Sequence, residues 1–163
     1  LFTPRDVRRM LDIEYASELL LRQVYGITNK KDMLEVAYME FEEEFPIEAE
    51  CEDAFNTSIG LIKTILDKEN LALFKSKGVF HSLFGVCYEY FKRSGRTYFK
   101  EVEGVKSGLT ELVYKAKENA FTPDDHDIAS YAEVSSRSTS DKSKRAERER
   151  IFWKIISEIE GVA

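Results

Sequence analysis

Residues 8–21 read RRMLDIEYASELLL, and their apolar side chains fall on nearly every side of the helix that this segment predicts. At 100° per residue, Met10 and Leu21 share one side of the helix, whereas Ala16 and Leu20 occupy the opposite side. Both sides therefore require a packing partner. We expect the helix to be incompletely covered within this chain, and the chain to be part of a longer protein whose other domain docks there.

The rest of the sequence also indicates helices. The chain has 163 residues, 43% of them hydrophobic and 12% aromatic, which suits one globular domain with its own core. Apolar residues recur at spacings of three and four, and the alternating pattern of a half-buried strand is almost absent. We predict an all-α fold, an irregular bundle of about seven helices that forms a single domain over residues 1–163.

Several helix ends and faces can be placed from the sequence. Helix starts are predicted at Thr3-Pro4, Ser76, Thr122-Pro123 and Asp141, and helix ends at Gly26, Gly95 and Gly161. A core-facing stripe is predicted in a second helix that ends at Pro46, and residues 70–77 are predicted as a loop. The members of this stripe are Leu34, Ala37, Tyr38, Phe41 and Phe45. Gly104 and Gly108 are expected to let a neighbouring helix approach closely.

Composition and motifs exclude several classes of function. The net charge of −6 argues against a surface built entirely for nucleic acid. His81 and His126 belong to no metal-binding spacing, and no glycine-rich phosphate loop occurs, so we predict no metal site, no cofactor and no catalytic residue. Cys51 and Cys87 lie among apolar helical positions, which favours free core cysteines of a reduced cytoplasmic protein over a disulfide. No segment is long and apolar enough to predict a membrane span.

Acidic residues are concentrated in one part of the chain. Residues 32–53 contain ten acids and no lysine or arginine, namely Asp32, Glu35, Glu40, Glu42, Glu43, Glu44, Glu48, Glu50, Glu52 and Asp53. This segment is either a solvated helix face and loop, or a surface that binds a basic partner or mimics the charge of nucleic acid.

Basic residues are concentrated near the end of the chain. Residues 137–154 carry seven lysines or arginines against three acids, and the candidate nucleic-acid contacts among them are Arg137, Lys142, Lys144, Arg145 and Arg148. Arg145 and Arg148 also extend the apolar row of the last helix, so their guanidinium groups must meet an anion. Two alternatives remain open. The arginines pair with acids of the first helix, for which Glu14 and Glu18 are the candidates, or they contact phosphate.

Two segments carry a resemblance to a known family. PRDVRRMLDIEYASELLL near the start and SYAEVSSRSTSDKSKRAERERIFWKII near the end resemble the helical C-terminal half of proteins with a ParB/sulfiredoxin-like domain and a DGQR motif. GmrSD type IV restriction enzymes and related phage-defence proteins are of this kind. The positions that match are Arg9, Met10, Asp12 and Glu14 in the first segment, and Tyr131, Ser138, Thr139, Arg145 and Arg148 in the second.

The resemblance implies a role in a bacterial restriction or phage-defence system. The DGQR loop and the His-Asn-His nuclease motif of longer members do not occur in this sequence. We therefore expect a non-catalytic helical domain that packs against a ParB-like nuclease or NTPase domain of the same protein, with nucleic acid as a further partner. The alternative is a helical interaction module that docks a basic partner through residues 32–53.

Overall fold

The computed structural model describes residues 1–29, 33–136 and 141–163, and all regular secondary structure within these ranges is α-helical. The helices are Pro4–Arg8 (α1), Leu11–Val24 (α2), Leu34–Glu40 (α3), Glu48–Ile65 (α4), Leu71–Phe74 (α5), Lys77–Ser94 (α6), Val102–Glu118 (α7), His126–Ser136 (α8) and Lys142–Glu160 (α9). They pack as an irregular bundle, which confirms the predicted all-α fold class.

Two local features explain why the described ranges hold nine helices where the sequence indicated about seven. The first predicted helix is divided into α1 and α2 at Met10, whose φ of 55° lies in the left-handed region that non-glycine residues rarely adopt. Residues 71–74 form the one-turn helix α5, so the prediction of a loop over residues 70–77 was wrong. Phe74 explains this turn, because its side chain is buried in the core.

Capping residues set several helix ends where the sequence predicts them. The Thr3 hydroxyl accepts the backbone N–H of Asp6, and the Asp6 carboxylate accepts the backbone N–H of Thr3, which forms a capping box. The Ser76 hydroxyl accepts the N–H of Val79 at the start of α6. Gly95 ends α6 with a φ of 66°, a conformation that glycine adopts without steric cost.

The central element of the core is α6, which packs against α4 on one side and α9 on the other. Its residues Leu83, Phe84, Cys87 and Tyr90 are fully buried. Phe84 contacts Phe55 of α4 with a ring-centroid distance of 5.0 Å. Because α2 also contacts α6, the polar residues of α2 and α9 meet against this central helix.

Two glycines let α7 approach α9 closely. A Cβ atom at Gly108 would lie 2.9 Å from Cγ2 of Ile155, and one at Gly104 would lie 3.1 Å from Cγ2 of Ile159. Both distances are shorter than ordinary carbon contacts. The expectation that these glycines accommodate a neighbouring helix is therefore correct, and the neighbour is α9.

The apolar stripe of α3 does not form part of the core. The helix ends at Glu40 rather than near Pro46, and Ala37 is its buried residue. Tyr38 is 63% exposed, and Phe41 and Phe45 are half-buried. The periodicity correctly identified an apolar face, but the assignment of that face to the core was wrong, because α3 packs against α2 and leaves most of its apolar residues half-buried or exposed.

Candidate functional site

Arg145 lies in the interior of the bundle, where it contacts both α2 and α6. Its Nη2 donates to Oε2 of Glu18 at 2.9 Å, and its Nη1 lies 2.8 Å from Nε2 of His81. Arg145 and Glu18 are 3% and 5% exposed. For Arg145, the structure therefore shows the first of the two alternatives, an ion pair with an acid of α2. The other candidate acid, Glu14, lies half-buried one turn before Glu18.

His81 is a neutral acceptor in this cluster. Burial lowers the pKa of His81 to about 3, and the charges of Arg145, Arg22 and Arg148 act in the same direction. The imidazole therefore carries no charge near neutral pH, and its Nε2 accepts a hydrogen bond from the Arg145 guanidinium. This histidine helps to hold the arginine in the core.

Arg148 is also occupied inside the protein and is fully buried. Its Nε donates to Oγ of Ser82 on α6 at 3.1 Å, and its Nη1 donates to the backbone carbonyl of Val134 on α8 at 2.7 Å. This side chain therefore ties α9 to two neighbouring helices. Neither Arg145 nor Arg148 presents its guanidinium group to solvent.

A second buried ion pair, which the sequence reasoning missed, joins Arg22 of α2 to Glu149 of α9. The Arg22 Nη2 donates to Oε2 of Glu149 at 2.7 Å, and Nε donates to the same carboxylate at 3.1 and 3.2 Å. A Cβ atom at Gly85 would lie 2.4 Å from Oε1 of Glu149. Glycine at this position of α6 therefore makes the space that the carboxylate occupies.

The two ion pairs share one helical register. Glu18 and Arg22 are four residues apart on α2, and Arg145 and Glu149 are four apart on α9, so each helix presents an acid and a base on one face. The order of the charges is reversed between the helices, which lets both pairs form at once. This complementary spacing was the signal in the sequence that could have identified the Arg22–Glu149 pair.

The other basic residues of the predicted nucleic-acid site occupy different environments. Lys142 is exposed and Lys144 half-buried in the first turn of α9, while Arg137, with Ser138 and Thr139, lies outside the described residues. The backbone N–H of Lys142 donates to the side chain of Asn29, at 3.0 Å. Contact with nucleic acid stays a prediction for all five basic residues, Arg137, Lys142, Lys144, Arg145 and Arg148. For Arg145 and Arg148, such contact would require the guanidinium groups to leave their buried partners.

An accessible apolar surface lies beside α2. The half-buried Leu20 is shared by two adjoining depressions of about 240 and 590 Å³, the first towards α3 and the second towards α4. We call this surface the α2 groove. Its lining comprises Ile13, Ala16, Ser17, Leu20, Leu21 and Val24 of α2, Leu34, Ala37, Tyr38, Phe41 and Phe45 of α3 and its following turn, and Glu48, Cys51, Glu52, Phe55 and Asn56 of α4.

Acidic side chains line one edge of the α2 groove, and the rest of the acidic segment is exposed as well. Nine acids of the acidic segment belong to the described residues, and all of them are exposed: Glu35, Glu40, Glu42, Glu43, Glu44, Glu48, Glu50, Glu52 and Asp53. Glu48 and Glu52 line the depression towards α4. Glu50 pairs with Lys92 at 3.2 Å, and Glu40 accepts a hydrogen bond from the hydroxyl of Tyr25. Asp32 lies outside the described residues.

Within residues 1–29, 33–136 and 141–163, no three His, Cys, Asp or Glu side chains are grouped so that they could hold a metal ion. Cys51 and Cys87 are free and buried. None of the helices in the described ranges combines the length and apolar character that a membrane crossing requires.

Comparisons with protein-family models, curated proteins and solved structures found no match to the chain.

Proposed function

We propose that this chain is a helical docking module, which binds another protein through the α2 groove and the apolar residues beside it. The supporting observation is the distribution of exposed large apolar side chains. Among the described residues, three exposed large apolar side chains follow residue 47, namely Leu71, Tyr98 and Tyr114. The others lie in the first 47 residues, namely Leu1, Val7, Met10, Ile13, Val36, Tyr38, Met39 and Ile47.

Exposure of this kind has a free-energy cost that a partner would remove. Val7, Met10 and Ile13 are 51%, 67% and 56% exposed, and they succeed one another at intervals of three along the chain. Burial of apolar surface contributes about 25 cal/mol per Å², and large contiguous apolar patches mark interaction sites. A protein partner that covers this surface would therefore gain affinity from its burial.

The resemblance to GmrSD-like proteins supplies a candidate for that partner. It predicts a ParB-like nuclease or NTPase domain of a restriction or phage-defence system, and it places the present chain as the helical part of such a protein. In that arrangement the helical chain supplies the docking surface, and the ParB-like domain carries the chemistry.

A position-specific photocrosslink tests the docking function. A photoreactive phenylalanine analogue is placed at Ile13 in the α2 groove and, as a control, at the exposed Tyr114 on α7, and the protein is irradiated in its native cells. We expect a protein adduct at position 13 and none at position 114. The variant Ala16→Glu should remove the adduct, because it introduces a charge into the groove at an exposed helical position.

The possible outcomes have distinct meanings. Equal adducts at both positions, or an adduct that persists in Ala16→Glu, would contradict docking through the groove. No adduct at position 13 would contradict it as well. If the adduct contains a protein with a DGQR motif, the GmrSD-like assignment is supported, whereas a protein of another kind would overturn that assignment and leave the docking function in place.

A further inference from the structure

We infer that the occupant of the α2 groove is an amphipathic helix whose apolar stripe is flanked by lysine or arginine residues. This inference rests on the proposed docking function and specifies the chemistry of the partner. It follows from the shape of the groove, from the side chains that line it, and from the charge along its edge.

The wall formed by α2 has the spacing of a helix-binding surface. Ile13, Ala16 and Leu20, together with Ser17, follow one another at positions i, i+3, i+4 and i+7, so they form a continuous row. The buried Leu21 and the half-buried Val24 follow along α2 and line the depression between α2 and α3. From Ile13 to Leu20 the row is about 10 Å long at 1.5 Å per residue, which matches about two turns of a partner helix.

The opposite edge, on α4, is acidic. Glu48 and Glu52 are one helical turn apart, and Asn56 follows after another turn, so they form a polar row along the groove. Phe45 and Phe55 lie with them in the lining and supply apolar contact area. A partner helix with its apolar residues against α2 would place its flanking residues near these two carboxylates.

Neutralising charges close to this edge are few. Residues 32–62 contain no lysine or arginine; of the flanking cations, Lys30 and Lys31 lie outside the described residues, and Lys63 follows on α4. Within the described ranges, the cation that pairs with an acid of this segment is Lys92, and its partner is Glu50 rather than Glu48 or Glu52. The field along the groove therefore favours a cationic partner.

The same charge argues against two other occupants. A symmetric dimer formed through the groove would bring the acidic edges of two identical chains into one interface, and like charges within an interface oppose association. Nucleic acid is anionic and would be repelled as well. A basic helix is the occupant that satisfies both the apolar wall and the acidic edge.

Binding of a synthetic helical peptide to the full chain tests the inference. The peptide has about 18 residues, leucines at i, i+3, i+4 and i+7, lysines on both flanks and a fluorescent label; its companion carries glutamine in place of every lysine. We expect the lysine peptide to bind about fivefold more tightly at low salt, as measured by fluorescence anisotropy. This advantage should decrease as the salt concentration rises.

Matched variants locate the effect on the protein. Glu48→Gln with Glu52→Gln should remove most of the advantage of the lysine peptide. Glu118→Gln with Glu133→Gln, which removes two exposed carboxylates from α7 and α8, should preserve it. Ala16→Glu should weaken both peptides, because it blocks the apolar wall. Equal affinity of the two peptides, or equal effects of the two glutamine pairs, would overturn the inference.

Other outcomes separate this inference from the docking function. If the photocrosslink at Ile13 succeeds but the attached segment is not a basic helix, the inference fails and docking stands. If neither peptide binds and no crosslink forms, both fail. Self-association in sedimentation equilibrium that Ala16→Glu abolishes would assign the groove to a second copy of the chain and overturn the inference.

Discussion

Arg145 carries a permanent charge into the protein interior, and its contacts with Glu18 and His81 determine what its loss would do. Truncation in Arg145→Ala leaves the Glu18 carboxylate in a buried site without this partner. We expect the free energy of unfolding to fall by about 3 kcal/mol, as measured by urea denaturation at pH 7.

The same helix provides a matched control for this prediction. Arg150 pairs with Asp127 and Glu147 through a side chain that is 51% exposed. Arg150→Ala should lower the free energy of unfolding by less than about 1 kcal/mol, because exposed ion pairs contribute little. Equal losses in the two variants would show that Arg145 is not held as a buried ion pair.

Gly85 permits a second residue-scale prediction. Alanine normally stabilises a helix interior relative to glycine by about 0.5–1 kcal/mol. At position 85 the added methyl group would displace the Glu149 carboxylate from its place beside Arg22. We expect Gly85→Ala to destabilise the protein by about 2 kcal/mol.

Gly60 is the control for this substitution. It lies in α4, and within the described ranges no atom beyond its chain neighbours and its own helix backbone lies within 4 Å of the Cβ that alanine would add. Gly60→Ala should therefore stabilise the protein by about 0.5–1 kcal/mol. Thermal unfolding of both variants measures the contrast, and a stabilised Gly85→Ala protein would contradict the described position of Glu149.

At the scale of elements, the sequence predicted what short-range chemistry determines. Ser76 and Gly95 identified the ends of α6, and Gly104 and Gly108 identified a close helix contact, because each effect depends on a residue and its immediate neighbours. The break at Met10 was not predicted, because no glycine or proline marks the left-handed conformation there. Periodicity could not decide between core and groove for the apolar face of α3, because that depends on which helices cover it.

The candidate site was predictable to a similar extent. The spacing of residues along the last helix placed Arg145 and Arg148 on its buried face. Glu18, which pairs with Arg145, was one of the two acids predicted as its partner. The partners of Arg148 are a serine and a backbone carbonyl on other helices, and no charge pattern in the sequence indicates them. The α2 groove was anticipated as an incompletely covered helix, but its boundaries required the positions of α3 and α4.

Glu160 supports a prediction about how elements are joined. At the last residue of α9, its carboxylate accepts the backbone N–H groups of Lys100 and Glu101, at 3.0 and 2.8 Å, and the hydroxyl of Tyr90 at 2.8 Å. Burial raises the pKa of Glu160, but the hydrogen bonds from Glu101, Lys100 and Tyr90 and the nearby charge of Arg96 outweigh this effect, so its pKa lies below the ordinary value.

The sign of the pH dependence follows from this lowered pKa. The folded state binds the Glu160 proton more weakly than the unfolded chain, so the contribution of the carboxylate is complete above its ordinary pKa and is lost as the pH falls through the lowered folded value. Glu160→Gln should lower the free energy of unfolding by about 2 kcal/mol at pH 7. The difference from the unsubstituted protein should decrease in acid.

Denaturation at a series of pH values checks this prediction. The exposed Glu158 on the same helix serves as the control, and Glu158→Gln should change stability by less than about 0.5 kcal/mol throughout the series. A loss in Glu160→Gln that stays constant down to the acid limb would argue against an ionised carboxylate at the junction of α6, α7 and α9.

At the scale of the whole molecule, charge is used in two ways. The arginines Arg22, Arg145 and Arg148 lie in the interior and join α2, α6, α8 and α9. The described carboxylates of the acidic segment are instead exposed, and those of Glu48 and Glu52 line the α2 groove. We therefore expect the buried arginines to determine stability and the exposed carboxylates to determine which partner binds.

Hydrogen–deuterium exchange of the full chain, with and without the lysine-flanked helical peptide, tests the docking claim most directly. With the peptide bound, we expect slower amide exchange in Leu11–Val24 and in the first turns of Glu48–Ile65, and unchanged exchange in His126–Ser136 and Lys142–Glu160. Unchanged exchange in Leu11–Val24 at a saturating peptide concentration, or slowing confined to the last two helices, would contradict it.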